Sequence, residues 1–402
     1  DQTRADFDFD RGSNAAATRI GSDGLLKKYQ ENLLLQSNQF DTTWFSSSTT
    51  ETSGQSGYDG SSDAWLLDIN GGSSAQYIGQ NISVSGVQTF SFYAKAGSKN
   101  WVMCLGTNAT IPQVYFDLQN GVVGTMQNAT GEIVSVGNGW YRCSMWHNQT
   151  IGSIRIYIAT ADNDVTQSSG NILIQSAQLE TGLVATDYLN STSVTAKAGV
   201  LVDLPRINYD ANGENGALLL EPSRQQLFQF SEYFGGSYWT NTNSSVINNS
   251  IVSADGFSNG IKLLDNAVNS YHLIESSAVS ATIGSEYTLS VFAKAGEKSI
   301  LQICFDNNDV TGNPRANFDL QNGVKGSVSS GITASIEDYG NGWYRCSAKA
   351  TSAVTSLIGI FAIVDATTAT RIQTYLGNGT DGLYLFGAQV EAGSYVSSYI
   401  PN

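Results

Sequence analysis

The chain has 402 residues, which is long enough for two domains that each bury a core of their own. A formal net charge of -15 argues against binding to nucleic acids or anionic membranes, and no run of about 20 apolar residues predicts a membrane helix. Only 14% of the residues are charged whereas glycine, serine, threonine and asparagine are abundant, a composition typical of turn-rich β-structure.

The predicted elements follow one another twice along the chain. An extended arm over residues 1–30 precedes a first module over residues 31–189, and a second arm over residues 190–222 precedes a second module over residues 223–402. Each arm carries an Arg-Ile pair followed by adjacent leucines. Adjacent leucines next to a proline are seldom part of a mobile, solvent-exposed linker. We therefore predict that these arms pair along a sheet edge or with a neighbouring chain.

The two modules share five motifs in the same order, which indicates two copies of one fold. Residues 32–44 recur at 226–239, 89–97 at 288–296, 116–121 at 318–323, 137–144 at 340–347, and 177–182 at 388–393.

Within each copy the apolar residues follow the period of strands. Phe90, Phe92 and Ala94 alternate with polar or smaller neighbours, which predicts a half-buried antiparallel strand, and Ile358 and Ile360 are predicted to face a core in the same way. Asn-Gly pairs predict tight hairpins at 120–121, 138–139, 322–323 and 341–342. The fold class that follows is all-β, with two tandem antiparallel β-sandwiches of the jelly-roll type joined by an extended arm.

The second arm and the chain end carry motifs that resemble those of phage tail and fibre proteins. Leu-Pro-Arg-Ile-Asn-Tyr at 204–209 is followed by Leu-Leu-Leu-Glu-Pro at 218–222 and by a tryptophan at 239. Gly-Ala-Gln-Val-Glu-Ala-Gly at 387–393, followed by Ser-Tyr-Ile-Pro at 398–401, resembles the closing strand of their carbohydrate-binding-module-like jelly rolls.

The resemblance implies a virion structural or adhesion protein, a tail fibre or spike, that is made in the host cytoplasm and exposed on the virion surface. It further implies a homo-oligomer, with a trimer as the expectation, that contacts other virion proteins and takes a host surface polysaccharide as its ligand. Two other functions fit the same modules. One is a purely structural decoration protein of capsid or tail without sugar binding, and the other is the carbohydrate-binding portion of a secreted glycan-active enzyme.

No residue pattern predicts catalysis, so we expect no enzymatic activity. The two histidines, His147 and His272, occupy unmatched positions without a nearby nucleophile motif. Glu180 and Glu391 recur at one motif position, which favours structural carboxylates that accept hydrogen bonds from loop backbone.

The four cysteines are predicted to recur as well, Cys104 and Cys143 in the first module matching Cys304 and Cys346 in the second. Each lies in an apolar, strand-like setting. One disulfide per module and free buried thiols are both compatible with this pattern, and we favour free thiols.

Three tryptophans occur in the first module alone and are the candidate glycan-binding residues: Trp65, Trp101 and Trp146. An exposed indole stacks well on the apolar face of a sugar ring, although variation in core packing is the alternative. The other pairs, Trp44 with Trp239 and Trp140 with Trp343, recur and are predicted to pack in both cores.

Two loops rich in carboxylates are weak candidates for a structural calcium ion, with Asp162 and Asp164 in one and Asp306 and Asp309 in the other. Neither has the spacing of an EF-hand. Because aspartate and asparagine also form turns readily, solvated loops are the alternative. No other cofactor is predicted.

Overall fold

The computed structural model describes residues 17–71, 76–166, 168–306, 309–310 and 313–402. Residues 1–16 of the predicted first arm lie outside the described residues. The chain forms two compact units. The first unit is Gln30–Ala198, and the second unit is Gly199–Asn402 together with residues 17–29.

The strands between residues 17 and 199 are short and closely spaced. They are β1 (Arg19–Ile20), β2 (Leu26–Lys27), β3 (Tyr29–Asn32), β4 (Phe45–Ser47), β5 (Thr49–Gln55), β6 (Ala64–Ile69), β7 (Tyr77–Val84), β8 (Val87–Ala96), β9 (Trp101–Thr107), β10 (Gln113–Asp117), β11 (Val122–Gln127), β12 (Thr130–Gly137), β13 (Trp140–Asn148), β14 (Ile151–Ala159), β15 (Asn171–Thr181) and β16 (Ala196–Gly199).

The rest of the chain continues in the same manner. Its strands are β17 (Ile207–Asn208), β18 (Ala217–Leu218), β19 (Trp239–Thr242), β20 (Ser244–Ile251), β21 (Gly260–Asp265), β22 (Asn269–Ser270), β23 (His272–Ser276), β24 (Val279–Ser280), β25 (Glu286–Lys294), β26 (Ile300–Phe305), β27 (Arg315–Asp319), β28 (Val324–Val328), β29 (Thr333–Asp338), β30 (Trp343–Thr351), β31 (Ser356–Leu357), β32 (Gly359–Val364), β33 (Tyr375–Leu376) and β34 (Gly382–Ala392).

Each unit is built on two six-stranded antiparallel sheets. In the first unit, sheet A has the order β11-β10-β9-β14-β7-β4 and sheet B the order β12-β13-β8-β15-β6-β5. In the second unit, sheet A has the order β28-β27-β26-β32-β23-β19 and sheet B the order β29-β30-β25-β34-β21-β20. The corresponding strands appear in the same order, so the two units share one topology.

The inner faces of sheets A and B supply one core in each unit. In the first unit, Phe90 and Phe92 of sheet B pack in the same buried cluster as Ile154 and Ile156 of sheet A. This placement confirms the strand predicted at residues 90–94, because alternate side chains of a strand point to one face. The strand is not half-buried as predicted, since Ser91 and Tyr93 on its other face are buried as well, Tyr93 under the stacked ring of Tyr58. The fold is therefore all-β, with two sheets packed face to face in each unit.

Asn-Gly pairs lie in the turns of all four predicted hairpins, which join β10 to β11, β12 to β13, β27 to β28 and β29 to β30. Asn138 and Gly139 join β12 to β13 with φ of 53° and 77°, and Asn341 and Gly342 join β29 to β30 with φ of 52° and 78°. Consecutive left-handed residues of this kind match the twist of the strands they connect. At 120–121 and 322–323 the glycines alone have positive φ, 66° and 64°.

The strand registers correct two of the predicted matches between the copies. Trp101 pairs with Asp117 and Ile300 pairs with Asp319, so Cys104 corresponds to Ile303 and not to Cys304. Cys304 lies on the outer face of sheet A, together with Ile358 and Ile360, which were predicted to face the core. The prediction was off by one residue, and a shift of one residue moves a side chain to the opposite face of a strand.

All four cysteines are buried and free, and no disulfide is formed. Cys104 and Cys143 face the core of the first unit, where the Cys104 Sγ lies 3.7 Å from the Met145 Sδ. Cys346 faces the core of the second unit. These positions agree with the interpretation of the cysteines as buried thiols.

Residues 17–29 pack within the second unit although they precede the first unit in sequence. The Thr18 Oγ1 donates to the Tyr399 carbonyl oxygen at 2.7 Å, and Ile20 and Leu26 are buried in one cluster with Trp343 and Phe386. The second unit therefore depends on a segment that is distant from it in the chain.

Nowhere in the described part of the chain is there a helix with the length and apolarity needed to span a membrane.

Candidate functional site

The outer face of sheet A in the first unit carries a row of large side chains across four strands. Tyr77 on β7 lies opposite Tyr157 on β14, Tyr157 lies opposite Met103 on β9, and Met103 lies opposite Tyr115 on β10. The ring centroids of Tyr77 and Tyr157 are 4.6 Å apart. These residues alternate along their strands with core residues such as Ile156, which explains why they point outward.

Arg155 contacts both this row and Phe45 on the edge strand β4. Its guanidinium carbon lies 4.5 Å from the ring centroid of Tyr77 and 5.8 Å from that of Phe45. One Nη atom donates to the Tyr157 hydroxyl at 3.1 Å, and the Nε is buried without a hydrogen-bond partner among the described residues. Gly79 makes the arrangement possible, because a Cβ there would lie 2.8 Å from the Phe45 Cζ.

Trp101 lies at the start of β9, next to the loop that contains Asp162 and Asp164. A Cβ at Gly124 would lie 2.7 Å from the Trp101 Cζ3 and 2.4 Å from an Asp162 carboxylate oxygen, so the glycine permits the close approach of these two residues. Burial, with the nearby charges of Asp162 and Asp164 adding to it, raises the pKa of Tyr115. The loop and the aromatic row are thus neighbours.

We call this surface the aromatic face. It consists of Phe45, Tyr77, Trp101, Met103, Tyr115, Arg155 and Tyr157. Phe45, Tyr77, Trp101 and Arg155 are half-buried, and Met103, Tyr115 and Tyr157 are buried. A half-buried aromatic ring that is fixed by its neighbours can offer part of its surface to a ligand at little cost in conformational entropy.

The three predicted tryptophans do not form one site. Trp65 is 6% exposed, packs edge-on against Phe40 in the core and donates its indole N–H to the Asn38 carbonyl oxygen at 3.0 Å. It leaves no open ring face for a sugar, as the core-packing alternative expects. Trp146 lies on β13, where it pairs with Thr89 in sheet B. Only Trp101 belongs to the aromatic face.

Three of the four predicted calcium ligands accept hydrogen bonds from the protein, and the fourth, Asp306, lines a pocket in the second unit. The Asp162 carboxylate accepts hydrogen bonds from the Thr125 N–H at 2.6 Å and from its hydroxyl at 3.0 Å, and the Asp164 carboxylate accepts from the Thr166 N–H at 2.8 Å. Asp309 is buried, and its carboxylate accepts from the Ile358 N–H at 2.6 Å. Across the described ranges no group of three or more His, Cys, Asp or Glu could hold a metal ion, and calcium stays a prediction.

The same face of the second unit has a different chemical character. The strand registers give the corresponding positions in the two units. Thr240 corresponds to Phe45, Leu273 corresponds to Tyr77, and Ala362 corresponds to Tyr157. Likewise, Gln302 replaces Met103 and Asn317 replaces Tyr115. The aromatic face is therefore specific to the first unit.

Several members of the aromatic face were not among the predicted site residues. Arg155 and Tyr157 alternate with the core residues Ile154, Ile156 and Ile158, and Tyr115 lies between the core residues Val114 and Phe116. This alternation is the signal that could have found them, because a large aromatic residue on the non-core side of a strand has no packing role in the sandwich core. Phe45 and Tyr77 had no such signal, since pairing across strands brings them into the row.

No family model matches the chain. No curated protein matches it either.

The chain has weak similarity to several solved structures. One contains the M60 catalytic domain with the CBM51-1 and CBM51-2 domains of Clostridium perfringens ZmpB, with 10% identity, a TM-score of 0.20, and coverage of 90% of this chain and 39% of that one. Another is a cycloisomaltooligosaccharide glucanotransferase of Paenibacillus sp. complexed with cycloisomaltoheptaose, with 10% identity, a TM-score of 0.20, and coverage of 81% and 46%. The plant receptor-like kinase ANX2 has 6% identity, a TM-score of 0.20, and coverage of 85% and 96%.

The chain thus spans less than half the length of the first two structures. At these TM-scores the similarities carry no functional assignment, and the fold class rests on the sheets themselves. None of the three is a phage tail protein, and the virion setting stays a prediction.

Proposed function

We propose that the first unit binds a carbohydrate chain on its aromatic face and acts as a non-catalytic carbohydrate-binding module. The observation that carries this proposal is the set of half-buried aromatic side chains Phe45, Tyr77 and Trp101, which lie on the outer face of sheet A across the four neighbouring strands from β4 to β9. Neighbouring strands are about 4.8 Å apart, so a row over four strands is about 14 Å long. That length suits an oligosaccharide better than a single sugar.

The chemistry of the aromatic face matches that of a sugar ring. The C–H groups on one side of a pyranose are weakly positive and stack on the negative face of an aromatic ring. Arg155 has donor capacity left for hydroxyl groups, because its guanidinium carries several N–H groups and only one Nη atom has a hydrogen-bond partner among the described residues. The Asp162 and Asp164 carboxylates at the end of the row are acceptors for the same hydroxyls.

Binding by a well-ordered sheet needs little rearrangement. The aromatic face is held by the strand ladders, by the Arg155 to Tyr157 hydrogen bond and by the contact of Phe45 with Gly79. Little conformational entropy is therefore lost in ordering the site when a ligand binds, which favours measurable affinity even on an open surface.

The test is calorimetric titration of the full chain with an oligosaccharide first identified on a glycan array. Tyr77→Ala and Trp101→Ala are each expected to weaken binding about tenfold or more, because each removes about 1.4 kcal/mol or more of stacking. Trp146→Ala, in sheet B, is the matched control and is expected to bind like the unmodified chain. Thermal unfolding verifies that each variant folds. Failure of the folded chain to bind any glycan, or equal losses in all three variants, would refute the proposal.

The setting in which the module acts has two candidates. The motifs at residues 204–239 and 387–401 support a tail fibre or spike that oligomerises, and light scattering of the purified chain tests the predicted trimer. The alternative is the binding portion of a secreted glycan-active enzyme, which a hydrolase domain encoded in the same reading frame would favour. A decoration protein without sugar binding is the outcome that remains if no glycan binds.

A further inference from the structure

The outer face of sheet A in the second unit contains a pocket of about 370 Å³. Its walls include Tyr271, Leu273 and Glu275 from β23 and its approach, Ile360 from β32, and Arg371 and Asp306 from the flanking loops. A pocket of this size is at the lower end of the range for small-molecule sites. It occupies the part of the sheet where the first unit has Tyr77, Gly79 and Arg155.

Glu275 presents an unpaired carboxylate to this pocket. The side chain is half-buried and makes no hydrogen bond or ion pair with any residue that the structure describes. Burial, with the charge of Asp306 adding to it, raises the pKa of Glu275. A ligand group that brings a positive charge or a hydrogen-bond donor would stabilise the charged form of this carboxylate.

Arg371 presents an unpaired cation on the same pocket. One Nη atom donates to the Phe305 carbonyl oxygen at 2.8 Å, which fixes the position of the guanidinium. Among the described residues, the buried Nε has no hydrogen-bond partner and no carboxylate forms an ion pair with the guanidinium. The acid and the base of the pocket therefore do not neutralise each other.

Apolar side chains also line this pocket, and one of its residues, Ile372, has a strained backbone conformation. Leu273 and Ile360 are buried in one outer-face cluster, against which Ile372 packs. Ile372 has a φ of 51°, which is rare for a β-branched residue, and its N–H donates to the Gln302 side-chain oxygen at 2.6 Å. Strain of this kind is concentrated at ligand sites, where the surrounding structure maintains it.

We infer that this pocket is a binding site for a small zwitterion, a molecule that carries an ammonium group and a carboxylate on a short apolar chain. The ammonium group faces Glu275 and Asp306, the carboxylate faces Arg371, and the apolar chain lies on Leu273 and Ile360. A neutral ligand would bury both charges without neutralising them, which is unfavourable. The inference is independent of the carbohydrate site, because it concerns the other unit and a different ligand class.

The test is saturation-transfer NMR on the full chain with three probes of matched carbon skeleton: γ-aminobutyrate, butylamine and butyrate. Glycine and ε-aminocaproate extend the series to zwitterions with a shorter and a longer separation of the two charges. At least one zwitterion is expected to bind about tenfold or more tightly than both singly charged probes, since each charge contributes about 1.4 kcal/mol or more when paired in a partly buried site.

The variants Glu275→Gln and Arg371→Gln are each expected to abolish that preference. Glu337→Gln, an exposed acid on β29 in the same unit, is the matched control and is expected to leave binding unchanged. Arg371→Lys, which keeps the charge, separates loss of charge from loss of folding and is expected to retain part of the preference. Absence of binding by every zwitterion, binding of no zwitterion more tightly than both singly charged probes, or unchanged binding in both Gln variants would overturn the inference.

Discussion

Buried polar side chains at single positions hold the loops of both sandwiches. The Glu180 carboxylate accepts from the Thr186 N–H at 3.0 Å, from the Thr186 hydroxyl at 2.5 Å and from the Gln178 amide at 2.7 Å. Glu391 accepts from the Ser397 N–H at 2.9 Å in the same way. This arrangement confirms the predicted structural role of both carboxylates, since each satisfies donors that would otherwise be buried without partners.

Replacement of Glu180 by alanine is expected to lower the free energy of unfolding of the first unit by about 3 kcal/mol, because one buried and two partly buried hydrogen bonds lose their acceptor. Urea denaturation of the full chain measures the effect. Glu132→Ala, an exposed residue of β12, is the control and is expected to change stability by less than about 0.5 kcal/mol. Similar effects of the two substitutions would contradict the structural role.

His147 makes the stability of the first unit depend on pH. Burial lowers the pKa of His147 from 6.5 to about 4, so the folded chain keeps the ring neutral where the unfolded chain protonates it. The unfolded state then binds more protons between these two values, and stability falls as pH drops below 6.5. Above that pH, the contribution of His147 to the free energy of unfolding no longer changes with pH.

Urea denaturation at two pH values tests this prediction. Between roughly pH 7.5 and pH 5 we expect His147 to account for a loss of about 2 kcal/mol. The glutamine in His147→Gln does not titrate. Over the same pH interval, the free energy of unfolding of this variant is therefore expected to fall by about 2 kcal/mol less than that of the unmodified chain. The same pH dependence in both chains would show that other groups are responsible.

At the scale of elements, a buried ion cluster attaches residues 17–29 to the second unit. The Lys28 Nζ lies 2.9 Å from a Glu232 carboxylate oxygen and 2.7 Å from an Asp255 carboxylate oxygen, and the Tyr399 hydroxyl donates to Glu232 at 3.1 Å. Burial opposes the charge of Lys28, but the two carboxylates outweigh it and raise the pKa of the amine. Burial likewise raises the pKa of Glu232.

Replacing Lys28 by methionine is expected to destabilise the docked segment by about 3 kcal/mol or more, because two buried carboxylates lose their counterion. Hydrogen exchange of residues 17–29 is the measurement, and faster exchange in the variant is expected. Lys27→Met, whose partner Asp23 is half exposed, is expected to cost about 0 to 1 kcal/mol. Equal exchange rates in the two variants would contradict the buried cluster.

Some elements could be predicted from sequence and others could not. The Asn-Gly pair at 138–139 and the alternation over residues 90–94 are local signals, and the structure confirms both. The match of Cys104 with Cys304 relied on a single shared residue type, which does not determine the register across a loop of different length. The docking of residues 17–29 on the second unit is a long-range contact that no local pattern indicates.

The candidate site was harder to predict than the fold. Of the predicted tryptophans only Trp101 belongs to the aromatic face, because Trp65 takes the core position that Ile261 holds in the second unit. A residue that is unique to one copy can be either a ligand contact or a change in core packing, and composition does not separate the two. Strand register does, since it assigns each side chain to a face.

At the scale of the whole molecule, one scaffold occurs twice with two different outer faces. The repeated motifs conserve the inner faces and the hairpins, whereas sheet A presents Phe45, Tyr77 and Tyr157 in the first unit and Thr240, Leu273 and Ala362 in the second. Because outer-face residues contribute little to the sandwich core, ligand specificity can differ between the units without loss of the fold.

One exchange of residues tests most directly whether the aromatic face of the first unit binds carbohydrate. The variant Phe45→Thr/Tyr77→Leu/Tyr157→Ala carries the residues that the second unit has at the same positions. A calorimetric titration of this folded variant with the array-selected oligosaccharide is expected to show no binding. Binding equal to that of the unmodified chain would contradict the claim.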